Sequence, residues 1–157
     1  MTGRDEELII RRATRDDVIE IVRLLADDHL GSQRENYQQP LPQAYYDAFQ
    51  EIDRNESNEL AVVEARGEVI GTLQLTFIPG FSFQGGKRAL IEAVRVDSRY
   101  RGRGIGHQLI EWAISRARQE KCHVIQLTTH NDRPDAHRFY LDLGFVPSHT
   151  GMKLRLS

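Results

Sequence analysis

The sequence has little cysteine, no long apolar run and almost no net charge. Cys122 is its single cysteine, which excludes an intrachain disulfide and most cysteine-rich metal sites. No apolar run approaches the roughly 20 residues that a membrane span needs. The formal net charge is −2, so the chain as a whole lacks the basic surface of a nucleic-acid binder. The opening "MTGRDEELII" is charged where a signal peptide would be apolar. We therefore expect a cytoplasmic protein with neither a membrane nor a nucleic-acid partner.

The composition favours a folded domain over a disordered chain. Hydrophobic residues make up 39% and charged residues 28% of the 157 residues, which is typical of a soluble globular protein. We expect a single domain over residues 1–157.

Hydrophobic periodicity predicts a mixed α/β sheet in the order β-α-α-β-β-β-α-β-α-β-β. Thr14 and Asp17 resemble a capping box at the start of the first helix, and residues 31–42 and 79–87 are predicted loops. A hairpin is expected on either side of Gly67 and Glu68. The predicted strands are 7–14, 59–66, 69–78, 88–96, 122–129 and a terminal hairpin arm over 145–157, and the later helices are 43–55, 104–120 and 134–144.

The stretch "DSRYRGRGIG", residues 97–106, joins a predicted strand to a predicted helix. Glycines at a helix N-terminus leave backbone N–H groups open to an anion, and the helix dipole favours negative charge there. Arg99, Arg101 and Arg103 add positive charge, so the loop can form a phosphate or pyrophosphate cradle. It lacks the lysine of a P-loop, and its spacing Gly-x-Gly-x-Gly differs from the dinucleotide fingerprint. The alternative is a surface turn with solvated arginines.

Several segments, in the right order, resemble one known family. Arg101-x-x-Gly104-x-Gly106 matches the Arg/Gln-x-x-Gly-x-Gly/Ala signature of the GNAT superfamily of acyl-CoA-dependent N-acyltransferases. "IEAVRVDSRYRGRGIGHQLIEWAISRA" resembles that family's fourth strand, pyrophosphate loop and third helix. "NDRPDAHRFYLDLGF" resembles its later segment, and "IIRRATRDDVIEIVRLL" its opening strand and helix. The resemblance covers about residues 8–156.

The resemblance implies a fold, a cosubstrate and a set of contacts. The family's central sheet is mostly antiparallel and splayed between strands 4 and 5, where the pantetheine arm of acetyl-CoA lies. The implied contacts of acetyl-CoA are the backbone of the fourth strand, the N–H groups of the signature loop, and two side chains after the fifth strand. In this sequence they are Val94, Val96, Arg101, Gly102, Arg103, Gly104, Ile105, Gly106, His107, Asn131 and His137. Family habit implies a homodimer.

Two residues are candidates for the proton transfers of an N-acetyltransferase. A general base helps because an alkylamine with a pKa near ~10.4 is almost fully protonated at neutral pH. Glu92 is the candidate, because strict alternation would put its carboxylate among Leu90, Val94 and Val96 on one strand face. The alternative is a structural glutamate at a bulge. Gln126, at a position that the family sometimes uses for a base, cannot accept a proton.

Tyr140 is the candidate general acid for the departing thiolate, because its place in the later segment matches the family's tyrosine. The alternative is a packed core tyrosine. His130 and His137 could relay a proton or be surface histidines. The six histidines show no zinc-like spacing, so we expect no metal.

The acceptor is less constrained by the sequence. Carboxylates and aromatic rings in the early helices and their loop suit a cationic amine: Asp27, Asp28, Glu35, Tyr37, Tyr45 and Tyr46. We expect a small-molecule amine. A protein or peptide N-acetyltransferase and a non-catalytic acyl-CoA-binding regulator remain alternatives.

Overall fold

The computed structural model describes residues 7–157, so residues 1–6 of the predicted domain lie outside it. The chain forms two compact units, one ending at Gln126 and the other covering Leu127–Ser157, and each is described by itself. The strands are β1 (Leu8–Arg12), β2 (Asn58–Ala65), β3 (Glu68–Ile78), β4 (Arg88–Val96) and β5 (Val124–Leu127). The helical segments are α1 (Val18–Ala26), α2 (His29–Arg34), α3 (Gln43–Arg54), the four-residue α4 (Ser82–Gly85), α5 (Ile105–Gln119) and α6 (Pro134–Asp142).

The five strands form one sheet in the order β1-β2-β3-β4-β5. The first three pairs are antiparallel, and β5 runs parallel to β4. The backbone N–H of His123 donates to the carbonyl of Lys87 at 2.8 Å, just before both strands begin. These features confirm the predicted fold class. The β2–β3 turn is formed by Arg66 and Gly67, with φ of 52° and 77°, one residue earlier than predicted.

Helices cover both faces of the sheet. On one face α1 packs Ile21 and Leu24 against Val62 and Val69, and Phe49 of α3 joins this cluster. On the other face lies α5: its Arg116 pairs with Glu59 of β2 and lies over the ring of Phe77, 5.9 Å from its centroid. The α5 residues on the predicted apolar face, Ile105, Leu109, Ala113 and Ala117, are all buried.

A β-bulge interrupts β4 at its centre. Glu92 is opposite Gln74, but Arg95 is opposite Thr72, so two residues of β4 face the single residue between these two positions on β3. Ala93 has a φ of 54°, the left-handed conformation that an L-residue with a Cβ rarely adopts. The bulge reverses the inward and outward alternation for the rest of the strand.

The capping box at the start of the first helix is confirmed. The backbone N–H of Thr14 donates to Oδ2 of Asp17 at 2.7 Å. A one-turn 3-10 segment, Arg15–Asp17, precedes α1. The carboxylate of Asp17 also accepts from Arg11.

Both predicted loops and the predicted terminal arm differ from the structure. Residues 79–87, predicted as loop, contain the four-residue α4. Residues 31–34, predicted as loop, continue α2, whose N-terminus is capped because Oδ1 of Asp28 accepts the N–H of Gly31 at 2.6 Å. The predicted terminal hairpin arm is wrong for the described chain, because residues 145–157 contain neither helix nor strand. Met152, Leu154 and Leu156 alternate as in a strand and are 86–94% exposed. Alternation sets which side chains share a face, whereas a strand also needs a partner edge.

Within residues 7–157, no helix is long and apolar enough to cross a membrane.

Candidate functional site

The glycine-rich loop lies between the end of β4 at Val96 and the start of α5 at Ile105. Gly102 and Gly104 have φ of 77° and 78°, and a Cβ placed on either would meet no atom within 4 Å. The left-handed backbone explains why glycine stands at both positions. The open space lies at the N-terminus of a 15-residue helix, where unpaired N–H groups and the helix dipole favour an anion. The loop therefore leaves open space at the start of α5, and its role as a phosphate cradle stays a prediction.

The loop is anchored by Asp97, which the sequence reasoning did not single out. Its side chain is 1% exposed. Oδ1 accepts the backbone N–H of Arg99 at 2.9 Å, and Oδ2 accepts Nη2 of Arg99 at 2.9 Å and Nη1 of Arg23 at 3.0 Å. Hydrogen bonds from Arg99, together with the charge of Arg23, hold the pKa of Asp97 well below its usual range. An aspartate directly after a largely apolar strand, followed by an arginine at the second position, is the signal that could have revealed it.

The three arginines of the loop are not equivalent, which corrects their joint assignment to a phosphate-binding charge. Arg99 is held by Asp97 and by Glu68, whose Oε1 lies 2.7 Å from its Nη2. Its guanidinium charge is therefore balanced within the protein. Arg103 lies over the ring of Tyr100, with Cζ 5.1 Å from the centroid, and Arg101 is exposed. Among residues 7–157, Arg101 and Arg103 have no carboxylate partner, so theirs are the positive charges of the loop that remain unbalanced.

His107, in the first turn of α5, lies beside Glu111. Its Nε2 is 3.0 Å from Oε1 of Glu111, and both side chains are exposed. The predicted contact of His107 with a pyrophosphate is through its backbone N–H, which this side-chain pair leaves available.

Glu92 lies just before the bulge and is exposed. Among residues 7–157 its carboxylate has no hydrogen-bond or ion-pair partner. The expectation that Glu92 shares a face with Val94 and Val96 is wrong. Val96 pairs with Gly71 and Glu92 with Gln74, so their side chains lie on opposite faces.

Asn131 and His137 lie in the second unit and line one open cavity. His130, Pro134 and Arg138 complete its lining. The cavity lies at the start of α6, where Nδ1 of His130 accepts the N–H of Asp132 at 3.1 Å and Arg138 pairs with Asp135. The structure thus brings together the two predicted cofactor contacts of this unit.

Tyr140 lies on α6 between two aromatic rings. Its ring meets Phe139 and Phe145 edge-on, at centroid distances of 5.2 and 5.8 Å. The helix ends before Gly144, which has a φ of 94°, and the N–H of Phe145 returns to the carbonyl of Tyr140 at 3.0 Å. The chain after the helix therefore fixes the position of the tyrosine ring.

The predicted site residues fall into two groups. Glu92, Val94, Val96 and the loop 101–107 belong to the first unit, and Asn131, His137 and Tyr140 to the second. Within residues 7–157, no group of three or more histidine, cysteine, aspartate or glutamate side chains is arranged to hold a metal ion.

A family model described as the acetyltransferase (GNAT) family matches residues 21–145, a span that crosses both units, and the chain belongs to this family. The aminoalkylphosphonate N-acetyltransferase of Salmonella typhimurium is 32% identical over 142 residues, covering 89% of this chain and 86% of that protein. A crystal structure described as a transcriptional regulator from Bacillus halodurans C-125 is 51% identical, with a TM-score of 0.93 over 96% of this chain and all of that one. An aminoglycoside N-acetyltransferase in complex with CoA shares the fold at 17% identity, with a TM-score of 0.79 over 99% of this chain and 98% of that one.

The protein is therefore an acetyl-CoA-dependent N-acetyltransferase. The open space beside Gly102 and Gly104, where a Cβ would meet no atom within 4 Å, is compatible with an anionic group at the start of α5.

Proposed function

We propose that this protein acetylates a small-molecule amine by direct attack of the amine on acetyl-CoA in a ternary complex. The observation that carries the proposal is the loop at residues 101–107, whose two left-handed glycines leave open space at the N-terminus of α5. The similarity to an aminoalkylphosphonate N-acetyltransferase, which names a small-molecule acceptor, supports the choice of acceptor class.

In this proposal, acetyl-CoA is bound more by backbone groups of the protein than by side chains. In this proposal the pyrophosphate accepts N–H groups of residues 101–107, and the pantetheine amides pair with β4 at Val94 and Val96. Asn131 and His137 supply the polar side-chain contacts. Backbone binding explains the glycines, because the ligand approaches the main chain closely.

The reaction joins the amine nitrogen to the acetyl carbonyl carbon and breaks the bond from that carbon to sulfur. The nitrogen lone pair forms the new bond, the nitrogen loses one proton, and the electrons of the broken bond leave on the thiolate. The bulge places Ala93 and Val94 opposite a single residue of β3, and a bulge interrupts the regular ladder of backbone hydrogen bonds. We assign the backbone N–H of Val94 to the carbonyl oxygen, as a donor to the developing negative charge.

Glu92 is assigned as general base and Tyr140 as general acid. Glu92 is exposed and its carboxylate has no partner among residues 7–157, so it is available to accept the proton of the amine, directly or through water. The phenol of Tyr140 is assigned to return a proton to the thiolate. The ring contacts with Phe139 and Phe145 support this role, because they restrict the directions that its hydroxyl can take.

The test combines binding and turnover. Acetyl-CoA or CoA should raise the melting temperature, because a ligand selective for the native state stabilises it by mass action. Thiol release should then depend on an added small amine and not on added peptides. Unchanged melting curves at millimolar CoA would refute the whole proposal, and thiol release with peptides alone would refute the acceptor class.

One observation favours a regulatory role beside catalysis: the 51%-identical structure is described as a transcriptional regulator. Because the chain is an acetyl-CoA-dependent N-acetyltransferase, this role takes the place of the non-catalytic acyl-CoA-binding regulator that the sequence left as an alternative. The turnover assay separates the two, because a non-catalytic regulator would bind CoA with the same loop but release no thiol with any amine.

We also propose that the protein is a homodimer. The segment 151–157 carries apolar side chains at alternate positions, Met152, Leu154 and Leu156, all strongly exposed, and it forms no strand within the described chain. A second copy could offer a sheet edge to such a segment. Light scattering with size-exclusion chromatography measures the mass directly.

A further inference from the structure

One face of the sheet is uncovered beside Glu92. In β3, Val69 to Leu73 are buried without a break, but Gln74 and Thr76 are half-buried while Leu75 and Phe77 between them stay buried. Gln74 and Thr76 share the face of Val62, against which α1 packs. The tightest helical cover on this face therefore ends near Thr72, although β3 is an internal strand. Beyond it, Leu60 of β2, which is opposite Gln74, is half-buried and still packs against the cluster that α1 forms.

The uncovered face carries two rows of side chains across three strands. Register places Gln74 between Leu60 of β2 and Glu92 of β4, and Thr76 between Asn58 of β2 and Leu90 of β4. Directly opposed residues have Cβ atoms about 5 Å apart. We call Asn58, Gln74, Thr76 and Glu92 the polar strip.

The polar strip is partly bonded within itself. Oδ1 of Asn58 accepts the hydroxyl of Thr76 at 2.8 Å and Nε2 of Gln74 at 3.4 Å. These bonds orient both amides: the NH₂ group of Asn58 and the carbonyl oxygen of Gln74 remain for another partner. None of the four side chains is basic. Leu60 and Leu90 give the strip apolar flanks, and a few oriented polar groups among apolar surface are typical of a small-molecule site.

We propose that the polar strip binds the acceptor, with the amine at Glu92 and a neutral hydroxyl or amide group of the same molecule on Gln74, Asn58 and Thr76. The inference rests on the proposed function and names its substrate class: an amine with a hydroxyl or amide about 5 Å from the nitrogen. An anionic phosphonate is disfavoured at the strip itself, because none of its four side chains is a cation and one is a carboxylate. The basic residues of β4 on this face lie outside the strip: Arg95 is beyond the bulge, opposite the buried Thr72, and Arg88 is opposite Ile78.

The test compares three acceptors of equal chain length: 3-aminopropanol, butylamine and 3-aminopropylphosphonate. We expect the highest kcat/KM for the amino alcohol. Gln74→Leu should lower the kcat/KM ratio of amino alcohol to butylamine by about 2- to 10-fold through KM, the equivalent of one hydrogen bond. Gln50→Leu, at an exposed position of α3, is the matched control and should leave the ratio unchanged.

Thr76→Val and Thr76→Ser form a second pair that keeps the test interpretable if Gln74→Leu fails to fold. Valine should lower the same ratio, because it frees Asn58 from its hydroxyl partner, and serine should restore it. A ratio near one in the unaltered protein, a ratio indifferent to these variants, or a preference for the phosphonate would overturn the polar strip as the acceptor site. Each of these leaves the proposed function standing. No thiol release with any amine would overturn the proposed function as well.

Discussion

Replacement of Asp97 by asparagine should destabilise the protein and lower its affinity for CoA. The substitution keeps the shape of the side chain but removes the charge that Arg23 and Arg99 share. Loss of one partner from a buried ion pair costs about 3–5 kcal/mol of unfolding free energy. Because Arg99 is 59% exposed, water can solvate part of the guanidinium that is left. We therefore expect the lower end, about 3 kcal/mol, and a fall in melting temperature of roughly 6–12 °C for a chain of this size.

The pH dependence of this effect has a defined sign. The pKa of Asp97 is lowered in the folded protein by its hydrogen bonds with Arg99 and the charge of Arg23. A lowered folded-state pKa contributes stability that is fully present above the unfolded value of about 3.9 and is lost as the pH falls towards the folded value. The difference between the unaltered protein and Asp97→Asn should thus be constant from pH 7 to about 5 and shrink below about 4.

The assay is urea unfolding at several pH values, with CoA affinity measured by calorimetry at pH 7. Asp53→Asn is the control, because Asp53 pairs with Arg12 at 3.4 Å with both side chains about half exposed, and such pairs contribute at most about 1 kcal/mol. CoA binding should weaken in Asp97→Asn alone, since Asp97 holds the chain that leads into the glycine loop. Equal effects of the two substitutions would refute the reasoning that Asp97 anchors the loop.

The remaining predictions test single positions. Gly104→Ala and Gly67→Ala place a Cβ in open space at φ of 78° and 77°, so both should cost about 1 kcal/mol of stability. Only Gly104→Ala should weaken CoA binding in calorimetry, and equal CoA affinity of the two variants would remove the loop as the pyrophosphate site. Glu92→Gln should lower kcat at least tenfold in the thiol-release assay and leave CoA affinity unchanged; unaltered turnover would exclude Glu92 as base. Tyr140→Phe should also lower kcat at least tenfold with a nearly unchanged melting temperature; full turnover would make Tyr140 a packing residue, and joint loss of stability and turnover would make its hydroxyl structural.

Much of the fold was predictable because its signals are local. The bounds of β4 were predicted to the residue, and α5 and α6 within one or two residues, because apolar spacing, Pro134 and the positive-φ glycines act on neighbouring residues. The terminal arm failed because its alternation is local while strand pairing is not. For the same reason the roles of the arginines could not be read from the sequence. Arg99 is neutralised partly by Glu68, which is 31 positions away.

The bulge at Ala93 is the feature of the candidate site that the sequence pattern could not predict. A glycine at this position would have indicated a left-handed residue, but an alanine in "ALIEAVRV" is typical of an ordinary strand. Strict alternation then predicts that Glu92 lies on the same strand face as Val94 and Val96. The register instead places Glu92 on the sheet face against which α1 packs, beyond the end of that packing, and Val96 on the face of α5. This arrangement supports the proposal that the two parts of β4 bind different substrates. The segment of β4 after the bulge leads into the glycine loop assigned to the donor. Glu92, before the bulge, belongs to the polar strip assigned to the acceptor. In the proposed reaction the amine comes from the face of Glu92 and the acetyl group from the face of Val96, and the two meet where the ladder of β4 is interrupted. The backbone N–H assigned to the carbonyl oxygen, that of Val94, lies at this same interruption.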